Sequence, residues 1–169
     1  MRHFNDIDPL TVAQDPRVVA SIQDDRKPHK TWYFLIDQDH MIISNATYFT
    51  DLETNESEWL HYQIEFPKRG LQWYLDTLEH KFFKTEAEGG LPKGKFYDIA
   101  EIDGERLSID RAFNADGNGN GGGGYSFVTL DRKEDDLAKE YTFTDAFLFQ
   151  GGLIQIFEDI AAKIKGGQL

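Results

Sequence analysis

Residues 70–82 read GLQWYLDTLEHKF, and residues 152–164 read GLIQIFEDIAAKI. In the first stretch Leu71, Tyr74, Leu75, Leu78 and Phe82 recur at spacings that put them on one face of a helix. Leu153, Ile156, Phe157, Ile160 and Ile164 do the same in the second, each 82 positions after its counterpart. Gly70 and Gly152, Asp76 and Glu158, and Lys81 and Lys163 keep that offset. Pro67 opens the first helix, and the second is expected to run from about Ala146 to Lys165.

Strand signals surround both helices. Residues 31–36 (TWYFLI) and 41–49 (MIISNATYF) are aromatic and β-branched and flank the polar turn Asp37-Gln38-Asp39, which predicts a hairpin. Residues 59–66 (WLHYQIEF) alternate as a half-buried strand would. Beyond the glycines and proline at 89–94, residues 96–102 and 105–113 flank Asp103-Gly104, a strong short-range hairpin signal. Residues 125–130 and 141–144 read as two further strands, separated by the charged run 131–140. Near the start, Asp8-Pro9 and Asp15-Pro16 place capping residues before prolines, and Val18, Val19 and Ile22 supply an apolar face for a short N-terminal helix. The charged stretch 24–30 is then a loop ahead of the first strand.

The expected fold is α+β, with antiparallel sheets, two amphipathic helices and a short N-terminal helix in a single domain over 1–169. The hairpins also align, at an offset of 66, through Ile36/Ile102, Asp37/Asp103 and Ile43/Ile109. A duplicated strands-then-helix unit, with half-repeats 31–83 and 95–165, reconciles the two offsets if the glycine-rich loop 114–124 is an insertion in the second half. Two unrelated amphipathic helices and two unrelated hairpins produce the same matches, so both accounts stay open.

Composition narrows the function. Thirty acidic against 18 basic residues give a net charge of −12, which repels duplex phosphate at long range and favours cationic partners. The basic cluster Arg26, Lys27, His29 and Lys30 reads as a solvated loop. The chain has no cysteine, so disulfides, thiolate metal sites and cysteine nucleophiles are excluded. Its polar, acidic start and the lack of a long apolar run predict a cytosolic protein that does not enter a membrane.

Candidate chemical motifs are incomplete. Asn114, Asp116 and Asn118 at alternate positions resemble the opening of a calcium loop, but Phe127 stands where the closing glutamate belongs, so a flexible hairpin tip is expected instead. Glycines 121–124 are followed by no phosphate-binding signature. His3, His29, His40, His61 and His80 lack metal-site spacing, and no nucleophile elbow occurs. The expectation is a non-enzymatic protein without metal or cofactor.

Residues Gly94-Lys95-Phe96-Tyr97-Asp98-Ile99-Ala100-Glu101 resemble the strand motif of PUR repeats: glycine, basic residue, phenylalanine, two variable residues, isoleucine, small residue, glutamate. The two-fold order of strands followed by a helix is likewise similar to the layout of PUR and Whirly proteins, which bind single-stranded nucleic acid. That resemblance implies a sheet on which Trp32, Tyr33, Lys95 and Phe96 meet bases and phosphates. Asp98, where PUR strands often carry a basic residue, and the negative net charge depart from the pattern.

The leading expectation is therefore an acidic protein-binding module, such as an immunity or inhibitor protein that covers the basic surface of a nuclease-like target. Asp51, Glu53, Glu56, Glu58 and Trp59 form its candidate patch, carboxylates around one aromatic anchor. Single-stranded DNA or RNA binding is the alternative.

Overall fold

Four strands followed by a helix occur twice along the chain, in the computed structural model that describes residues 1–119 and 122–169. Asn120 and Gly121, at the tip of the expected 114–124 loop, lie outside the described residues. Strands β1 (Val18–Gln23), β2 (Lys30–Asp37), β3 (His40–Thr50) and β4 (Ser57–Pro67) form one antiparallel sheet in chain order. Helix α1 (Gly70–Thr77) follows. Strands β5 (Tyr97–Ile102), β6 (Glu105–Ala112), β7 (Gly124–Glu134) and β8 (Leu137–Thr144) form the second sheet, again in chain order, before α2 (Leu153–Lys165). The α+β architecture is as expected.

Compactness divides the chain differently from that repeat. Its two units are Met1–Glu65 and Phe66–Leu169, so α1 closes the first set of strands in sequence yet belongs to the second unit. The first unit is held by an N-terminal segment laid over one face of its sheet. Ile7 and Val12 pack with Leu35, Ile42 and Ala46, and Phe4, Val18 and Tyr33 border them. Buried Gln63 fastens the segment from β4: it accepts the Ile7 N–H at 2.9 Å and donates to the Asn5 carbonyl at 3.1 Å. Asp37, at the end of β2, accepts from Arg2 and, at 2.7 Å, from Arg17.

The N-terminal helical element is shorter than its apolar face suggested. A 3-10 turn covers Val12–Gln14, while Val18, Val19 and Ile22 lie in β1. The cause is local. The Asp15 carboxylate accepts the Arg17 N–H and chelates the Arg17 guanidinium, forming a turn rather than a helix cap, and β-branched residues then enter the sheet beside β2.

Aromatic packing organises the second unit. Tyr74 of α1 lies 5.4 Å from Phe66 and 4.8 Å from Phe127, and its hydroxyl donates to the Val128 carbonyl at 2.8 Å. Phe127 in turn meets Phe143 and, from α2, Phe157. Each such ring removes on the order of 150–250 Å² from water, which is why α1, with Leu71 and Tyr74 buried and Leu78 buried just after it, joins this unit. Leu71 and Leu78 match buried Leu153 and Ile160 at the 82-residue offset; in between, Tyr74 is buried in α1 whereas Phe157, the counterpart of Leu75, is buried in α2.

Several boundaries shift from expectation. By strand order β5–β6 corresponds to β1–β2, so the hairpin match at offset 66 is one strand out of step. The two-residue turn Gln38-Asp39 joins β2 to β3, whereas residues 113–123 join β6 to β7, which places the long connection in the second half. The charged run 131–140 is not a linker: it continues β7 and β8 around the turn Asp135-Asp136. Strand β4 does not alternate but grades from exposed at Ser57–Leu60 to buried at Gln63–Pro67. The second helix is broken, with a π-helical turn Ala146–Gln150 separated from α2 by Gly151 and Gly152. Asp103-Gly104 forms the expected tight turn, both residues having positive φ (50° and 84°), the left-handed region that Gly adopts without penalty.

Candidate functional site

Strand β3 is longer than its first neighbour. Strand β2 pairs with it from His40 to Thr47, and beyond that β3 and the start of β4 continue as a two-stranded arm. The Asp51 N–H bonds the Glu56 carbonyl at 2.8 Å, and the Thr50 and Ser57 hydroxyls meet at 2.9 Å. Within the tip, one Asp51 carboxylate oxygen accepts the N–H groups of Glu53 and Thr54, and Asn55 takes a positive φ of 58°. These are turn-forming bonds that short polar side chains supply.

Both surfaces of this arm are unlike an ordinary solvated loop. Tyr48, Phe49, Trp59 and Leu60 are each 43–45% exposed and Leu52 is 95% exposed. The Tyr48 and Trp59 rings brace each other at 5.4 Å. A small concavity of about 230 Å³ at the tip is lined by Phe49, Asp51, Thr54, Glu56, Ser57 and Glu58. Among the described residues none of Asp51, Glu53, Glu56 and Glu58 takes part in an ion pair. The arm thus joins apolar anchors, whose removal from water is favourable, to carboxylates that form no ion pair among the described residues.

All five residues of the expected acidic patch therefore lie on one hairpin. Tyr48, Phe49, Leu52 and Leu60 were missed as part of it. A signal existed: the predicted strand 41–49 is longer than 31–36, so its far end must outrun its partner.

The four positions implied for nucleic-acid binding are divided between the units. Trp32 is buried at 3% exposure, its indole N–H donates to Asp24 at 3.1 Å, and the Lys30 ammonium stands 4.5 Å from its ring. Tyr33 borders the first unit's core. Lys95 and Phe96, in the second unit, are exposed.

The calcium-like residues serve the loop's own backbone: Asn114 accepts the Gly119 N–H at 2.9 Å and Asp116 accepts the Asn118 N–H at 3.1 Å. Phe127 is fully buried in β7. No helix among the described residues is long and apolar enough to cross a membrane. Searches against protein-family models, curated proteins and solved structures find no match.

Proposed function

We propose that this chain is a non-enzymatic protein-binding module whose β3–β4 arm engages a basic protein surface, in the manner of an immunity or inhibitor protein. One observation carries the reading: five large apolar side chains are exposed on a single hairpin that also holds four carboxylates with no ion-pair partner among the described residues. Carboxylates of one sign accelerate encounter with a cationic surface, and aromatic side chains then supply the contacts that slow dissociation. Trp59, braced by Tyr48 and pre-ordered before binding, is the principal anchor.

Affinity capture with three baits tests it: the native chain, Trp59→Ala, and the quadruple variant Asp51→Asn/Glu53→Gln/Glu56→Gln/Glu58→Gln. The native chain is expected to retain a basic protein in a salt-sensitive manner. Trp59→Ala is expected to weaken that complex ~30-fold, the effect of losing about 2 kcal/mol at an interface anchor. Recovery of no basic protein by the native bait, or equal recovery by all three, overturns the reading.

A further inference from the structure

After α1 the chain of the second unit makes a π-helical turn over Leu78–Phe82 and a 3-10 turn over Glu86–Glu88 capped by Thr85. It then folds back. The Gly90 N–H bonds the Thr85 carbonyl at 2.8 Å and the Leu91 N–H bonds the Lys81 carbonyl at 3.0 Å. A Cβ at Gly90 would stand 2.0 Å from the Lys84 carbonyl oxygen, so this close return requires glycine. The fold-back brings Lys81, Lys84, Lys93 and Lys95 to one cavity of about 440 Å³ with Arg111 of β6. That volume is in the range typical of small-molecule sites, roughly 300–1,000 Å³.

Two of the five cations have internal partners. Arg111 is bidentate to Asp145 at 2.7 and 2.8 Å and lies over the Tyr125 ring, while Lys95 is 4.0 Å from Asp98. Among the described residues Lys81, Lys84 and Lys93 take part in no ion pair. Two carboxylates of the same segment are held by its backbone: Glu88, also within the field of Lys84, accepts from the N–H and hydroxyl of Thr85, and Glu86 accepts the Lys93 N–H. In a chain of net charge −12, this concentration of cations creates a local positive potential suited to an anion. Ammonium groups on flexible stems suit phosphate oxygens in particular.

The same cavity is aromatic. Phe82 packs edge-on against Tyr125 at 5.2 Å below it. Phe96 and Phe113, 49% and 59% exposed, meet at 4.9 Å on its wall and leave ring surface open. A larger cavity of about 520 Å³ along α1 and α2 is lined by Asp76, Glu79 and Glu158 and offers an anion no comparable cluster of cations.

We propose that this cleft binds a nucleoside phosphate, the base stacking on Phe96 or Phe113 and the phosphate held by Lys81, Lys84 and Lys93. The ligand is a free nucleotide or an unpaired nucleotide of a single strand; both present the same planar ring and anion. The site is independent of the β3–β4 arm.

Fluorescence anisotropy on the full chain at low salt tests it, with labelled AMP and a labelled short single-stranded oligoadenylate as probes. AMP is expected to bind and to weaken with added salt, and unlabelled adenosine or inorganic phosphate alone to compete at least ~10-fold less well. Lys84→Ala/Lys93→Ala and Phe96→Ala, all at exposed positions, are each expected to weaken binding ~10-fold or more, consistent with about 1–3 kcal/mol per stacked base. Trp59→Ala is expected to leave it unchanged, which separates this site from the arm. AMP binding without oligoadenylate binding assigns a free nucleotide; oligoadenylate that AMP displaces assigns the strand. Failure of both probes to bind, or binding that survives both cleft variants, overturns the proposal.

Discussion

The β3–β4 and β7–β8 hairpins each join the third and fourth strands of a four-stranded antiparallel sheet, and both are rich in acidic residues, yet they differ in the ion pairs they form. Strands β7 and β8 close through the two-residue turn Asp135-Asp136, both at positive φ. Near the tip of that hairpin Arg132 is buried and bidentate to Glu105 of β6 at 2.8 Å, and Asp131 accepts from the backbone and guanidinium of Arg106. The β3–β4 arm instead has a six-residue connection, exposed aromatics and carboxylates without ion-pair partners among the described residues. Hairpins rich in acidic residues can thus hold some of their charges in ion pairs with a neighbouring strand, or hold several carboxylates in none. Composition does not distinguish them; partners do.

The sharpest way to break this comparison is to remove one member of the buried pair. Arg132→Ala is expected to destabilise the second unit by about 3–5 kcal/mol in denaturant unfolding, because the buried Glu105 carboxylate loses both hydrogen bonds of its bidentate cationic partner. Replacing both members with apolar residues, Arg132→Met with Glu105→Leu, is expected to recover most of that loss. A single-variant loss under about 1 kcal/mol would mean that the pair is not the constraint described here.

Gln63→Ala comes next. It leaves the Ile7 N–H without its buried acceptor and is expected to cost about 1–3 kcal/mol, with the N-terminal segment losing hydrogen-exchange protection first. Unchanged protection over the first 17 residues would show that apolar contacts alone hold the segment down.

Acid provides a third, smaller test. Hydrogen bonds from Arg17 hold the Asp15 carboxyl below its ordinary value. Burial pushes Asp37 the other way, but hydrogen bonds from Arg2 and Arg17 outweigh it and Asp37 is also lowered. A group depressed in the folded state contributes stability that is complete above its unfolded pKa, about 3.9, and is lost as pH falls through the folded value. The first unit is expected to lose stability below that point, and less steeply in Asp15→Asn, as followed by circular dichroism at stepped pH.

The smallest effect belongs to the arm. Neutralising Asp51, Glu53, Glu56 and Glu58 together is expected to change stability by less than about 0.5 kcal/mol per site, with any net change stabilising at low salt as like charges are removed. A large loss on neutralisation would mean that these carboxylates support the hairpin itself rather than face a partner.

Much of the fold was legible in local patterns. The stripe beginning at Leu71 and its echo at Leu153 marked both helices, and Asp103-Gly104 marked a hairpin whose turn requires positive φ. Val18, Val19 and Ile22 were misread because capping residues and prolines before them satisfy a helix start, while the Asp15–Arg17 chelate that ends it is a contact of side chains. The run 131–140 was misread because Arg132 is charged, and its burial depends on pairing with Glu105, 27 residues earlier, which the local sequence does not show. The five residues Asp51, Glu53, Glu56, Glu58 and Trp59 fall on one hairpin, but Tyr48, Phe49, Leu52 and Leu60 beside them were not read with it. The cation cleft was visible only at Lys95 and Phe96, since Lys81, Lys84, Lys93 and Arg111 converge through a fold-back.

By itself the sequence determined which segments become strands or helices wherever a repeat of two or 3.6 residues was clean, because that preference is local and each side chain sees only its neighbours on the same element. Tertiary structure decided that α1 packs with the second unit, that Asp131 and Arg132 of β7 form ion pairs with β6 while the arm's four carboxylates form none among the described residues, and that scattered lysines share one cavity. Those outcomes depend on which groups meet across long loops. The energy of a charge or an aromatic ring is set by the groups packed around it, not by its place in the chain.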